Sequence, residues 1–150
     1  MRKQLLIELF AGLLILLFLY ASVSKFIDFR HFTGEMNNQP LPKVLKRGLV
    51  FIVPISEVLI SIALVMEFTR TAGFWASVVL MGLFTAYTLA VLLHLFSRVP
   101  CSCGGVIRQL NWRQHFVFNL FFTAIALAGI YLQRSRKKQI TIHHLKQQIV

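Results

Sequence analysis

The sequence predicts an all-α integral membrane protein built as an antiparallel four-helix bundle. The first observation is composition: 57% of the 150 residues are apolar and 14% charged, too apolar for an ordinary soluble domain. The second is that residues 5–23, 48–66, 73–96 and 116–132 approach or meet the roughly 20 mostly apolar residues that cross a hydrocarbon core about 30 Å thick. The third is the punctuation between them. The inner link "EFTRTAG" is short, as expected of antiparallel neighbours, the first outer loop, about Lys25 to Arg47, is the longest, and the basic cluster "RSRKK" follows the fourth stretch directly.

The first stretch begins after Arg2 and Lys3 and ends in "YASVS", a pattern that also describes a secretory signal peptide. Glu8 inside the run and "SKF" after it argue for a retained helix. The following "SKFIDFRHF" places Phe26, Phe29 and Phe32 at helical spacing, so the first helix either continues or lies in the membrane interface until Gly34, Asn37, Asn38, Pro40 and Pro42 break it. The second stretch contains Pro54 and Glu57. "EFTRTAG" links it to the third, which runs to Phe96. Before the fourth, Asn111 has the chemistry of an N-cap and Gln114 answers three residues on. Beyond Arg134 the chain is polar and basic and includes His143 and His144. The reading is one membrane domain over 1–133 and a basic, helical cytoplasmic tail over 134–150.

An even helix count puts both termini on one side. Lys and Arg divide equally, eight to each side, but the density after the fourth helix places the termini in the cytoplasm. The net charge of +11 is scattered over both membrane faces, which excludes the continuous basic stripe of a nucleic-acid binder. Lysines and arginines that flank apolar helices reach lipid headgroups, so the expected partner of this charge is membrane lipid.

Glu57 is the most costly residue to bury. Counted from the outer end of its helix it lies roughly 14 Å deep, so it must be protonated or paired. The same counting puts Tyr87 at similar depth, making Tyr87 and Ser61 its expected partners. Lys25 and Asp28 stand i, i+3 beside Ser24 and are spaced for a salt bridge; His115 and Asn119 stand i, i+4 on one helix face. These groups predict a polar core or proton relay under the second outer loop, or interhelical hydrogen-bonding glue of about 1 kcal/mol per contact.

That loop, "RVPCSCGGVIRQLNW", holds the chain's only cysteines, Cys101 and Cys103. An i, i+2 pair bridges only in an extended or turned backbone, which Pro100 and the two glycines permit. Closing so small a ring removes little unfolded-chain entropy, so stabilisation is a poor reason for it. A strained, exposed disulfide is instead oxidising and labile, and Arg98, Arg108 and His115 lie near enough in sequence to favour thiolate. Two alternatives stay open: a static interfacial turn, and a metal site of Cys101, Cys103, His94 and His115, although the spacing matches no strong zinc signature and His94 falls on an apolar helix.

Taken together, "LYASVSKFIDFRHF", "VPISEVLI", "FTAYTLAVLLH", "VPCSCGG" and "NWRQHFVFN", in this order and spacing, resemble the MauE/DoxX family of redox-associated membrane proteins over about residues 5–132. The resemblance implies a four-helix membrane bundle of the bacterial inner membrane. It also implies a link to maturation of a disulfide-rich dehydrogenase subunit in methylamine-utilisation members, to thiosulfate oxidation with quinone in DoxX-type ones, and to exported thioredoxin-like partners. By the same likeness Cys101 and Cys103 are the redox pair, and Ser24, Lys25, Asp28 and Glu57 belong to the polar core. The chain departs from membrane thiol oxidoreductases in having no Cys-x-x-Cys and no second pair through which to relay electrons, which argues against autonomous turnover with a quinone cofactor. The expected function is therefore thiol–disulfide exchange with an exported thioredoxin-like or cysteine-bearing protein through a periplasmic Cys-x-Cys loop. The alternative is a non-catalytic subunit or assembly factor of a larger membrane complex.

Overall fold

The computed structural model describes residues 2–96 and 111–148, with side chains for 3–96 and 111–136. It contains five helices among the described residues: α1 (Arg2–Ile27), α2 (Phe29–Asn37), α3 (Lys43–Val65), α4 (Arg70–Leu92) and α5 (Trp112–Gln148). Four of them carry runs long and apolar enough to cross a membrane, Lys3–Ile27, Lys43–Val65, Arg70–Leu92 and Trp112–Arg136. The predicted helical membrane bundle is what the chain forms, and the polar tail continues α5 as helix without a break.

The long helices close into a ring in which α1 and α4 each lie between α3 and α5, and α2 folds onto α3. Two contacts fix the alternation of direction. Lys3 Nζ donates to Ser135 Oγ at 3.4 Å, so α1 begins where the membrane-spanning part of α5 ends; this is the terminal end of the bundle. At the opposite, loop end the rings of Tyr87 and Trp112 stand 6.3 Å apart, joining the last turns of α4 to the first of α5.

The core is apolar toward the terminal end, where Ile7, Leu14, Leu64, Phe74, Met81, Ala126 and Ile130 are all buried. Exposed large apolar residues such as Leu16, Leu59, Leu83, Val117 and Phe121 cover every long helix. On a soluble protein that coat would be an aggregating surface, whereas lipid tails are the solvent it fits.

Sequence chemistry explains how each element begins or ends. The first helix stops at Asp28, whose φ of −116° and ψ of 54° break the helical path, so α2 is a separate element and not a continuation. The turn loses little hydrogen bonding, because Asp28 N–H donates to Ser24 O at 3.3 Å and Phe32 N–H to Asp28 O at 3.0 Å. Gly34 lies inside α2, and the break comes only after Asn37. Pro54 stays within a continuous α3 although its nitrogen cannot donate to the Val50 carbonyl. At the α3–α4 turn Arg70 donates from Nε to Leu64 O at 3.0 Å and from Nη2 to Val65 O at 3.3 Å, and Thr69 Oγ1 donates to Ala63 O at 2.9 Å. These bonds satisfy carbonyls that the end of a helix otherwise leaves without donors.

The third apolar run is shorter as a helix than its hydropathy suggests. α4 ends at Leu92, and His94, at φ 55°, adopts a left-handed conformation that a helix cannot continue through. His94 is therefore an exposed residue beyond the helix and not a packing residue on it. The predicted cap of α5 forms reciprocally: Gln114 N–H donates to Asn111 Oδ1 at 3.0 Å, and Asn111 N–H to Gln114 Oε1 at 2.9 Å.

Close approach of α4 and α5 depends on Gly129, where a Cβ would lie 2.3 Å from the Phe74 ring. Phe74 is itself fully buried, so the ring has no free space to retreat into. Gly129→Ala is expected to destabilise the protein by about 1–3 kcal/mol through overpacking. Gly12→Ala, where nothing lies within 4 Å, should be neutral or slightly stabilising. Equilibrium unfolding in mixed detergent micelles checks both, and equal midpoints for the two variants would contradict the packing argument.

Candidate functional site

The buried polar groups gather between α1 and α3 and between α4 and α5. In the first group, Lys25 lies within the last turn of α1, where a lysine ordinarily extends its stem outward to headgroups. Its ammonium instead turns into the bundle, donating to Glu57 Oε1 at 2.8 Å, Glu57 Oε2 at 3.1 Å and Ala21 O at 3.3 Å. All three donors of the ammonium are thereby used. Phe32 of α2 covers the pair with its ring centroid 5.9 Å from Nζ.

Lys25 and Glu57 are 9% and 1% exposed, so the pair is cut off from water and each charge is stabilised chiefly by the other. The expected partner of Glu57, Tyr87, is not its partner. The Tyr87 hydroxyl donates to Gln39 Oε1 in the linker between α2 and α3, and its ring packs near Phe96 and Trp112. Depth counting failed because it treated helices as flush and straight, ignoring that the stem of Lys25 reaches back along α1 by about one turn. Ser61 bonds the backbone of Glu57, donating from Oγ to its carbonyl at 2.9 Å, and leaves the carboxylate to Lys25. The expected bridge from Lys25 to Asp28 is likewise replaced, since Lys25 commits its ammonium to Glu57. Asp28 occupies the α1–α2 junction, and Ser24 supplies the carbonyl to which its N–H donates.

In the second group, His115 and Asn119 are 5% and 7% exposed, on one face of α5 as their spacing predicts. One turn further on, Thr123 Oγ1 lies 3.5 Å from Thr85 Oγ1 of α4. The ring of His115 is 6.5 Å from that of Trp112, and its Nε2 is buried with no hydrogen-bond partner among the described residues. Together these residues make a polar seam that descends from the loop end into the α4–α5 interface. Sequence reasoning missed Gln39, Phe32 and Thr123. Gln39 stands in a linker with no periodic signal; the spacing of Phe32 reads as helical, but not as the cover of a charge; Thr123 continues the i, i+4 row from His115 through Asn119 and was open to detection.

Cys101 and Cys103, with Arg98, Pro100 and Arg108, lie outside the described residues. So does the metal alternative that depends on them; among the described residues no three His, Cys, Asp or Glu side chains come together as a metal-binding group.

Single substitutions of the ion pair should be severe, because each strands a buried charge. Lys25→Met and Glu57→Leu are each expected to cost about 3–5 kcal/mol, whereas the double variant should recover most of the loss. Unfolding in mixed micelles across the four proteins measures the coupling. A double variant as unstable as the sum of the singles would show that the two groups act independently.

Residues 3–132 match a family profile described as methylamine utilisation protein MauE. No curated protein and no solved structure matches the chain.

Proposed function

Because this chain belongs to the methylamine utilisation protein MauE family and is a multi-pass helical membrane protein, we propose that it serves methylamine utilisation by thiol–disulfide exchange through Cys101 and Cys103. The observation that supports the reading is the place of the thiols in the sequence. The only two cysteines stand one residue apart in the chain between α4 and α5, and the described ends flanking them, the last turn of α4 and the first of α5, meet at the loop end. With Arg134, Arg136, Lys137 and Lys138 clustered at the terminal end, the charge rule makes that end cytoplasmic. The cysteine loop then faces the periplasm across the bacterial inner membrane, where disulfides persist.

The exchange needs no group beyond the sulfurs. A thiolate of an exported thioredoxin-like or cysteine-bearing partner attacks one sulfur of the Cys101–Cys103 disulfide. A mixed disulfide forms, and the other cysteine departs as thiolate and takes up a proton. The partner's second thiolate then attacks its own sulfur in the mixed disulfide. This releases an oxidised partner and the second cysteine as thiolate, which also takes up a proton; two electrons have passed from partner to pair, and the two protons the pair takes up from water match the two the partner's thiols lost to water on forming thiolate. The reverse sequence transfers them back to a second disulfide-bearing protein. One pair holds only two electrons, so turnover alternates between two such proteins and requires no quinone.

A second reading, a non-catalytic assembly factor, is favoured by the closed pairing of Lys25 with Glu57, which leaves both charged groups internally satisfied. The two readings separate on the thiols. Cys101→Ser or Cys103→Ser alone should leave a single sulfur that accumulates a partner as a covalent adduct, visible on non-reducing gels and lost with reductant. Impermeant maleimide should label the reduced pair from the periplasmic side only. A double Ser variant that matures the methylamine-oxidising machinery as well as the parent, while still co-purifying with a partner, would reject exchange and support assembly.

A further inference from the structure

The distribution of charge along the chain is one-sided. All five acidic residues lie at or before Glu67, and from Phe68 to Val150 the chain carries nine Lys and Arg and no Asp or Glu. Four of those nine, Arg134, Arg136, Lys137 and Lys138, fall within five residues of α5 as it leaves the membrane-spanning segment, and Arg70 starts α4 at the same end. Arg70 is accounted for by the carbonyls of α3. Arg134 is not. Its guanidinium carbon sits 5.4 Å from the ring centroid of Trp75 on α4, and among the described residues no carboxylate lies within salt-bridge distance of it. The carboxylates present at this end do not serve it: Glu8 accepts from Gln4 Nε2 at 3.0 Å, and Glu67 is exposed in the α3–α4 turn.

We propose that Arg134 and Trp75, in the α4–α5 groove at the terminal end, form a binding site for the phosphate of an anionic phospholipid headgroup. Stacking on the indole holds the guanidinium in place without consuming its hydrogen-bond donors, which stay available for phosphate oxygens. The level is that of headgroups, because Arg134 lies in the last turn of a membrane-spanning run that ends at Arg136. Below it on the same stripes, Val79 of α4 and Leu127 and Tyr131 of α5 are exposed and offer the groove apolar flanks for an acyl chain. An acidic protein would have to reach into the bilayer boundary to meet the same guanidinium, whereas a lipid is already there. Arginine that merely anchors a helix at the interface takes any headgroup alike; a phosphate site with surplus positive charge discriminates by net charge.

Trp75 is one of two tryptophans, so Trp112→Phe leaves it as the sole reporter in the full chain. In vesicles mixing phosphatidylcholine and phosphatidylglycerol, with one or the other brominated in its acyl chains, quenching of Trp75 reports which lipid stands beside the site. The expected result is a preference for phosphatidylglycerol of about five-fold, the order associated with one basic residue at a charged surface, falling toward one in high salt. Arg134→Ala should abolish it, and Arg134→Lys should retain part of it with matched helicity by circular dichroism. Trp112, read at the opposite end in a Trp75→Phe background, should show no preference. Equal quenching of Trp75 by the two lipids would overturn the proposal and leave the cationic end to an acidic protein. A preference that survives Arg134→Ala would overturn the assignment to this residue.

Discussion

A charged carboxylate in the middle of an apolar helix must be neutralised by something, and most of this architecture follows from how that is done. Glu57 lies within α3, far from both of its ends, while Lys25 lies at the end of α1. To meet, the lysine has to send its stem inward, against the usual tendency of a terminal lysine to seek water. The meeting fixes how far α1 slides along α3, since a shift of even one turn would separate charges that have no alternative solvent. It also explains α2. A helix that simply continued past Asp28 would carry Phe32 away from the bundle. The break folds it back, so that Phe32 covers the ammonium and Phe29 packs 5.6 Å from Phe51 of α3.

The two halves of the ring are joined by different means. α1 and α3 are held by the ion pair, and α4 and α5 by close packing at Gly129 and Phe74, the Thr85–Thr123 contact and the aromatic group of Tyr87, Trp112 and His115. Along the membrane normal the interior is also divided. Toward the terminal end it is filled mainly by isoleucine, leucine, phenylalanine, methionine and alanine, with Ser61 and Ser77 bonded to their own helix backbones; toward the loop end it admits an ion pair, an imidazole and a carboxamide. Buried polar groups are costly unless satisfied; the ammonium and carboxylate satisfy each other, whereas His115 Nε2 has no partner among the described residues.

Much of this was legible in the residues. Four spans, the reciprocal Asn111–Gln114 cap, the helical tail and the shared face of His115 and Asn119 all follow from local rules, because hydropathy, capping and i, i+4 spacing depend only on near neighbours. Pairings across helices were not legible. Tyr87 and Glu57 looked level by residue counting, yet each found another partner, Gln39 and Lys25, through tilt, stem length and a linker that carries no periodic signal. His94 misled for a related reason: hydropathy runs on through Leu95 and Phe96, but the left-handed residue between them and Leu92 ends the helix regardless of how apolar its neighbours are.

Electron capacity bounds the proposed exchange. A membrane protein that drains electrons from thiols into a lipid-soluble acceptor needs a relay, because the thiol that meets the protein partner and the group that meets the acceptor stand at different depths. Two cysteines one residue apart span no depth. In the proposed exchange a single pair carries one bonded and one free state, which suits equilibration between two proteins that visit the same face. Among the described residues the bundle contributes the buried Lys25–Glu57 pair and the buried His115 and Asn119. In the exchange proposed for this chain, the sulfur pair lies between α4 and α5 in sequence, and the direction of flow is set by the potentials of the proteins that dock.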